Sequence, residues 1–344
     1  MQLSKEVLSE PELESVTDGS RFHWPEYLME AAEVALYLFL ICFFAGLLLS
    51  PTSPIRHVVR RPIELRALMG VAVGVTVVAI VRTPWGQRSG GHFNPALTVA
   101  FYRLGKMDLP DALLYVVAQF SGAGVGVCFA RFLLPDAIGR PAVRYAVTAP
   151  GVRGSALAFI AELAISFVLM LTILVASNRE SLARYTTYLV GILYTIFITL
   201  ESPLSGMSMN PARSFGPALH AWYWHAIWLY FVAPTLGMLV AGEVFLRGRG
   251  GFPGERRRQV RAGPAIATTP AAASKSWRAR ANEQGMGHLD TLARPVVSEW
   301  RLRTARRVRS RRRGTSIAPE ARARTATAAP TRPTRCPRHR CRVE

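Results

Sequence analysis

The sequence predicts an all-α membrane protein of six transmembrane helices plus two half-helices in an inverted repeat, followed by a disordered basic C-terminal tail. Three observations predict it: six apolar stretches near span length, the tripeptide Asn-Pro-Ala once in each half, and a charge excess confined to one end. The chain has 344 residues, 50% of them hydrophobic, with a mean hydropathy of +0.19 and yet a formal net charge of +20. Residues 247–344 hold 25 of the 42 Lys and Arg and 6 of the 22 Asp and Glu, so the tail carries +19 and the body before it is almost neutral. That pairing fits a membrane body with a polar extension better than a soluble domain.

Residues 1–26 form a leader. Its Glu6, Glu10, Glu12, Glu14 and Asp18 stand where a cleavable signal peptide needs a basic region, so the first apolar stretch is not read as one. The apolar body covers 27–246, with repeats at about 27–134 and 155–246. Its apolar stretches fall at about Tyr27–Leu49, Leu65–Val81, Leu113–Leu134, Ala156–Ala176, Tyr185–Leu200 and Trp224–Leu246. Each approaches the ~20 residues needed to cross ~30 Å of hydrocarbon. Two shorter segments, Asn94–Leu104 and Asn210–His220, begin with Asn-Pro and read as half-helices entering from one face, since Asn suits the cap and Pro the first turn. Such backbone is tolerated at membrane depth only where protein or water surrounds it.

The halves match beyond the tripeptide. Each opens with a span carrying a carboxylate, Glu33 in Glu-Val-Ala-Leu-Tyr and Glu162 in Glu-Leu-Ala-Ile-Ser, followed by a second span, a half-helix and a third span. An odd number of spans inverts the second copy, so the two half-helix N-termini meet near the midplane. Glu33 and Glu162 are expected to be buried structural carboxylates accepting hydrogen bonds from loop backbone; the alternative is a residue snorkelling near a helix end. Gly70 with Gly74, and Gly122, Gly124 and Gly126, are expected to let helices approach closely. Trp222, Tyr223, Trp224 and Trp228 suit an interfacial belt.

Ser89-Gly90-Gly91-His92-Phe93-Asn94-Pro95-Ala96-Leu97-Thr98 and Ser208-Met209-Asn210-Pro211-Ala212-Arg213-Ser214-Phe215-Gly216-Pro217-Ala218 resemble the two signature loops of the aquaporin (major intrinsic protein) family. The resemblance runs from about Glu30 to Leu246, takes in Tyr115, Ala118, Gln119 and Gly122, and leaves out the leader and tail. It implies a passive channel for water that excludes protons and ions, with no catalysis and no cofactor. Half-helix dipoles and an Arg are the exclusion devices attributed to pores of this family. Each N-terminus presents about half a positive charge, and the Asn94 and Asn210 amides can donate to a passing oxygen.

The resemblance also implies a selectivity constriction of Arg213 with Ile198, Met207 and Val73. Water-selective members usually have an aromatic, a His and a small residue at the positions of Val73, Ile198 and Met207. Aliphatic and thioether side chains imply a less polar, wider constriction that admits small uncharged solutes such as glycerol, urea, ammonia or metalloid hydroxides. Ser214, Ala218 and Tyr230-Phe231 stand where glycerol facilitators have Asp, a basic residue, and Pro with an aliphatic, and so point to water. The competing class is a structural or adhesion protein of the same fold with a closed pore. An ion-coupled transporter is disfavoured because no carboxylate or Lys falls at the expected pore centre.

His92 is read as a hydrogen-bonded loop residue, or as a vestibule or pH-sensing group; His220 and His225 show no metal pattern. Cys42 and Cys128 lie inside spans, where a thiol behaves as a small hydrophobe. Cys336 and Cys341 flank His339 but lack a second ligand pair for zinc. Basic residues divide evenly between the two sets of loops, and Arg247, Arg249, Arg256, Arg257 and Arg258 place the C-terminus in the cytoplasm. Six spans put the N-terminus there as well. The expected location is the cell membrane, and the resemblance implies a homotetramer with one pore per subunit. The tail, with Arg306-Arg307-Val308-Arg309-Ser310-Arg311-Arg312-Arg313, is too poor in bulky apolar residues to form a core. It reads either as a solvated segment attracted to anionic headgroups or as a translation of GC-rich sequence; no specific nucleic-acid partner is expected.

Overall fold

The computed structural model describes residues 22–248, and all its regular elements there are helical. The leader before Phe22, the tail beyond Gly248 and the Cys336, His339 and Cys341 group lie outside the described residues. The principal helices are α1 (Trp24–Leu49), α2 (Pro62–Arg82), α3 (Pro95–Arg103), α4 (Leu109–Leu133), α5 (Ser155–Ser177), α6 (Thr186–Leu200), α7 (Pro211–Ala221) and α8 (Ile227–Arg247).

Helix α1 starts at Trp24, inside the expected leader, because Pro25 suits a first helical turn and Glu26 favours the N-terminal dipole there. Helix α8 starts three residues after the expected Trp224, since Ala226 adopts φ 53° and the chain turns before the helix begins. Among the described residues α1, α2, α4, α5 and α8 are long and apolar enough to cross a membrane. The other expected span, α6, has only 15 residues. Glu201 after it keeps a right-handed helical backbone, and a further turn at Ser202–Ser205 extends the rise.

The packing repeats with the sequence. Helix α1 lies along α4 as α5 lies along α8, α2 pairs with α6, and the half-helices cross over, α3 against α8 and α7 against α4. Glycines set the closest approaches. A Cβ on Gly122 or Gly126 of α4 would come within 2.2 Å of the Ala31 or Ala35 carbonyl oxygen of α1. One on Gly237 of α8 would come within 2.4 Å of the Leu163 carbonyl oxygen of α5. Between α2 and α6 a Cβ on Gly74 would meet the Gly191 carbonyl at 2.4 Å. Gly124 faces away, with Leu219 at 3.8 Å as its nearest neighbour. Gly124→Ala should therefore leave stability unchanged or raise it by up to ~1 kcal/mol of helix propensity, read as an unchanged or higher unfolding temperature in detergent.

The opposite faces of the same helices are apolar and exposed: Leu113, Val117, Val125 and Phe129 on α4, and Val71 and Val75 on α2. Such stripes mark a lipid-facing or partner-facing surface. Their i, i+4 spacing is offset from the buried Tyr115, Gln119, Gly122 and Gly126, so each helix has one lipid side and one core side.

Candidate functional site

The site is built where the two half-helices meet. Asn94 and Asn210 cap α3 and α7 with almost the same backbone, φ −150° and −152° with ψ 114° at both. Each side-chain oxygen accepts from the helix it caps: Asn94 Oδ1 from the Ala96 N–H at 2.9 Å, and Asn210 Oδ1 from the Ala212 N–H at 2.9 Å and the Arg213 N–H at 3.3 Å. Each amide nitrogen then donates across to the other repeat. Asn94 Nδ2 reaches the Met209 carbonyl and Asn210 Nδ2 the Phe93 carbonyl, both at 2.8 Å. An amide has two N–H groups, so this exchange uses one donor of each Asn. Pro95 and Pro211 occupy first-turn positions, and Ala96 and Ala212 are fully buried at the junction.

The loops leading into the caps hold unusual backbone. Phe93, Met207 and Met209 have φ of 30°, 52° and 54°, a region side chains rarely adopt. Buried carboxylates hold them there. Glu162 accepts from the Ser208 and Met209 N–H groups, both at 2.7 Å, and from Ser205 Oγ at 2.6 Å. In the first repeat the matching acceptor is Glu30, which takes the His92 N–H at 2.7 Å, the Phe93 N–H at 2.8 Å and Gln119 Nε2 at 2.9 Å. Here the expectation for Glu33 needs correcting. Glu33 accepts from Ser89 Oγ at 2.9 Å, its other oxygen has no hydrogen-bond partner among the described residues, and it takes no loop backbone donor. Glu30 and Glu33 lie one turn apart on one face of α1, and only Glu30 is level with the loop amides. A phenol closes each loop: the Tyr115 hydroxyl donates to the Ser89 carbonyl at 2.6 Å and the Tyr230 hydroxyl to the Ser205 carbonyl at 2.5 Å.

Val73, Ile198, Met207 and Arg213 line one cavity of about 290 Å³. All four side chains are buried by the surrounding protein, Arg213 at 8% exposure. Its Nη1 donates to the Ala146 carbonyl at 2.8 Å, from a connection in which Arg144, Tyr145 and Ala146 all have positive φ. That leaves further guanidinium donors for the cavity. Asn94 lines a second, smaller cavity of about 30 Å³, walled by Val77, Val81, Leu169, Ile173 and Val190. His92 borders this second cavity as a tethered residue, its Nδ1 3.2 Å from Thr98 Oγ1 and its ring stacked on Phe101. His220 Nε2 lies 2.9 Å from the Gly124 carbonyl, and among the described residues no group of His, Cys, Asp or Glu has the arrangement of a metal site.

Sequence reasoning did not single out Glu30, Tyr37 or Tyr194. Glu30 was hidden by having Glu26 and Glu33 on the same helical face; the two tyrosines read as ordinary apolar-span aromatics until the helices were assembled. The useful signal is the i, i+4 series Tyr37, Ile41, Ala45, Leu49 on α1 and Val190, Tyr194, Ile198 on α6, which line the cavities.

A bundle of membrane-length helices, with two half-helix N-termini joined at its centre and cavities on the path through them, is a passive membrane channel of the class that passes water and small solutes. The model of the family described as Major intrinsic protein matches residues 22–245. The chain belongs to the major intrinsic protein family. It is 34% identical over 179 residues to aquaporin TIP4-4 of Zea mays, covering 52% of this chain and 70% of that one. It is 34% identical over 176 residues to glycerol uptake facilitator protein-like 6 of Lactiplantibacillus plantarum, covering 50% and 81%. A probable aquaporin NIP-type of Nicotiana alata is 35% identical over 176 residues, with 63% of its length matched. The solved aquaglyceroporin of Plasmodium falciparum has the same fold, with a TM-score of 0.54 at 20% identity over 65% of this chain and 96% of that one.

Proposed function

We propose that the body at 27–246, with repeats at 27–134 and 155–246, is a water channel whose Arg213 constriction sets no polar barrier to small uncharged solutes. The observation that carries this reading is the reciprocal exchange Asn94 to Met209 and Asn210 to Phe93. It faces two positive half-helix ends toward one point, with amide donors left for a passing oxygen. A water held by such donors turns its own hydrogens away from the centre and cannot relay a proton through it. Val73, Ile198 and Met207 add apolar wall beside the Arg213 charge. Glycerol, urea, ammonia and metalloid hydroxides therefore meet a mainly apolar wall there, its polar groups being Arg213, Arg66, Tyr37, Ser202 and loop backbone.

Arg213 acts on charge. A unit charge at 4 Å is worth ~4 kcal/mol at an effective dielectric of 20, so Arg213→Val should raise cation or proton leak by at least about tenfold, which needs only ~1.4 kcal/mol. A pH-sensitive dye trapped in proteoliposomes reads that leak. The reading places the protein in the cell membrane with both termini cytoplasmic and assembles it as a homotetramer with one pore per subunit. The exposed apolar stripes of α2 and α4 offer surface for lipid or neighbouring subunits.

The closed-pore reading has one observation in its favour: the two cavities share no lining residue. Osmotic shrinkage of proteoliposomes separates the readings. Faster shrinkage in sorbitol than that of empty liposomes supports the channel; lipid-limited shrinkage supports the closed pore. Repeating the experiment with glycerol and with urea reports which solutes follow water.

A further inference from the structure

The break between the cavities falls at one level. On α6 the lining passes from Tyr194, in the Asn94 cavity, to Ile198, in the Arg213 cavity, one turn along. On α2 it passes in the same way from Val77 to Val73. On α1 the series facing the Arg213 cavity ends at Tyr37. Tyr37 and Tyr194 are almost wholly buried, at 1% and 3% exposure. Tyr37 is braced from behind by Phe93, with ring centroids 5.5 Å apart, and so rests on the loop that carries the Asn94 cap.

We propose that Tyr37 and Tyr194 form a second constriction, between the Arg213 constriction and the Asn pair, which sets both the size limit and the rate of the pore. This rests on the channel reading above and deepens it. The phenols come from different helices and opposite repeats and stand on the two sides of the interruption. A packing role alone would leave each ring inside one wall; instead one ring lines each cavity. A permeant must pass the two rings where the path is interrupted. A water molecule is small enough to do so while donating to one hydroxyl and accepting from another. Glycerol and urea match the polarity but must also displace rings held by Phe93 and by the α2–α6 contact. The apolar Val73, Ile198 and Met207 ring is then a wide entrance, and the discrimination by size lies one turn deeper.

The test compares the wild type with Tyr37→Val, Tyr194→Val and the double Tyr37→Phe/Tyr194→Phe, all as full-length chains reconstituted at equal density and checked by unfolding temperature and elution volume. The Val variants, with a ring removed from the narrow part, should pass water on the order of tenfold faster, which needs only ~1.4 kcal/mol off the barrier, and should admit glycerol and urea. The Phe pair keeps both rings and should raise water flux while still holding glycerol back. Folded Val variants with wild-type water and glycerol rates overturn the proposal, as does an unchanged water rate in the Phe pair should the Val variants fail to fold. A wild type above empty liposomes with unchanged variants overturns only this inference. A wild type at the lipid rate with permeable Val variants supports the inference and contradicts the open-channel reading. Wild type and variants all at the lipid rate overturn both.

Discussion

Replacing Glu162 with Leu is expected to abolish the folded channel. The carboxylate accepts two buried backbone N–H groups and one buried hydroxyl, and Leu offers nothing in their place. Each buried donor left unpaired costs ~1–3 kcal/mol. The loss falls on a loop in which Met207 and Met209 already hold positive φ, a conformation that costs ~1–3 kcal/mol per residue unless its surroundings enforce it. A total on the order of 5 kcal/mol is a large part of the stability of a typical domain. Thermal unfolding in detergent should show a much lower midpoint, or no folded protein at all. Glu162→Gln, which keeps one acceptor oxygen, should be milder. Glu30→Leu should match Glu162→Leu, whereas Glu33→Leu should cost far less, because only the Ser89 hydroxyl loses a partner. Equal losses at Glu30 and Glu33 would contradict the assignment of Glu30 as the first-repeat counterpart.

The second large effect is expected at Gly122. The Cβ that Val would bring lies 2.2 Å from the Ala31 carbonyl oxygen, with the Ala31 carbonyl carbon at 2.9 Å. All of these are backbone atoms, so no side-chain rotation relieves the clash. α1 must move off α4, and Glu30, next to Ala31, moves with it. Its bonds to His92 and Phe93 then lengthen, and the cap at Asn94 loses its support. Gly122→Val should lower both the unfolding temperature and the water permeability of whatever folds. Its inverted-repeat counterpart, Gly237→Val, faces the Leu163 carbonyl at 2.4 Å and should behave alike. Gly124→Ala on the same helix is the control, and the contrast between Gly122 and Gly124 separates close packing from a general intolerance of side chains on α4.

Much of this was readable before assembly, for physical reasons. Hydrocarbon demands long apolar helices, so all six spans show as apolar stretches, and α6 falls short of span length only because its regular helix stops at Leu200. Asn-Pro is a helix start by local chemistry, which is why Asn94 and Asn210 stood out. Glu33 was mistaken for the loop acceptor because residues 30 and 33 share a helical face, and the choice between them depends on the height of a loop that no local pattern encodes. Tyr37 and Tyr194 were hidden for a related reason. Which tyrosine of an apolar helix faces a lumen depends on how α1 and α6 are rotated against α2 and the half-helices, and that is a property of the whole bundle.

On the channel reading a continuous water path runs past Arg213, Tyr37, Tyr194 and the two capping Asn. The most direct measurement is the temperature dependence of osmotic shrinkage in proteoliposomes containing the full chain, with a pH-sensitive dye inside. An open, proton-excluding pore gives faster shrinkage than in empty liposomes, a shallower Arrhenius slope than the lipid alone, and no added proton leak. A slope equal to that of empty liposomes, or water flux accompanied by proton flux, would contradict it.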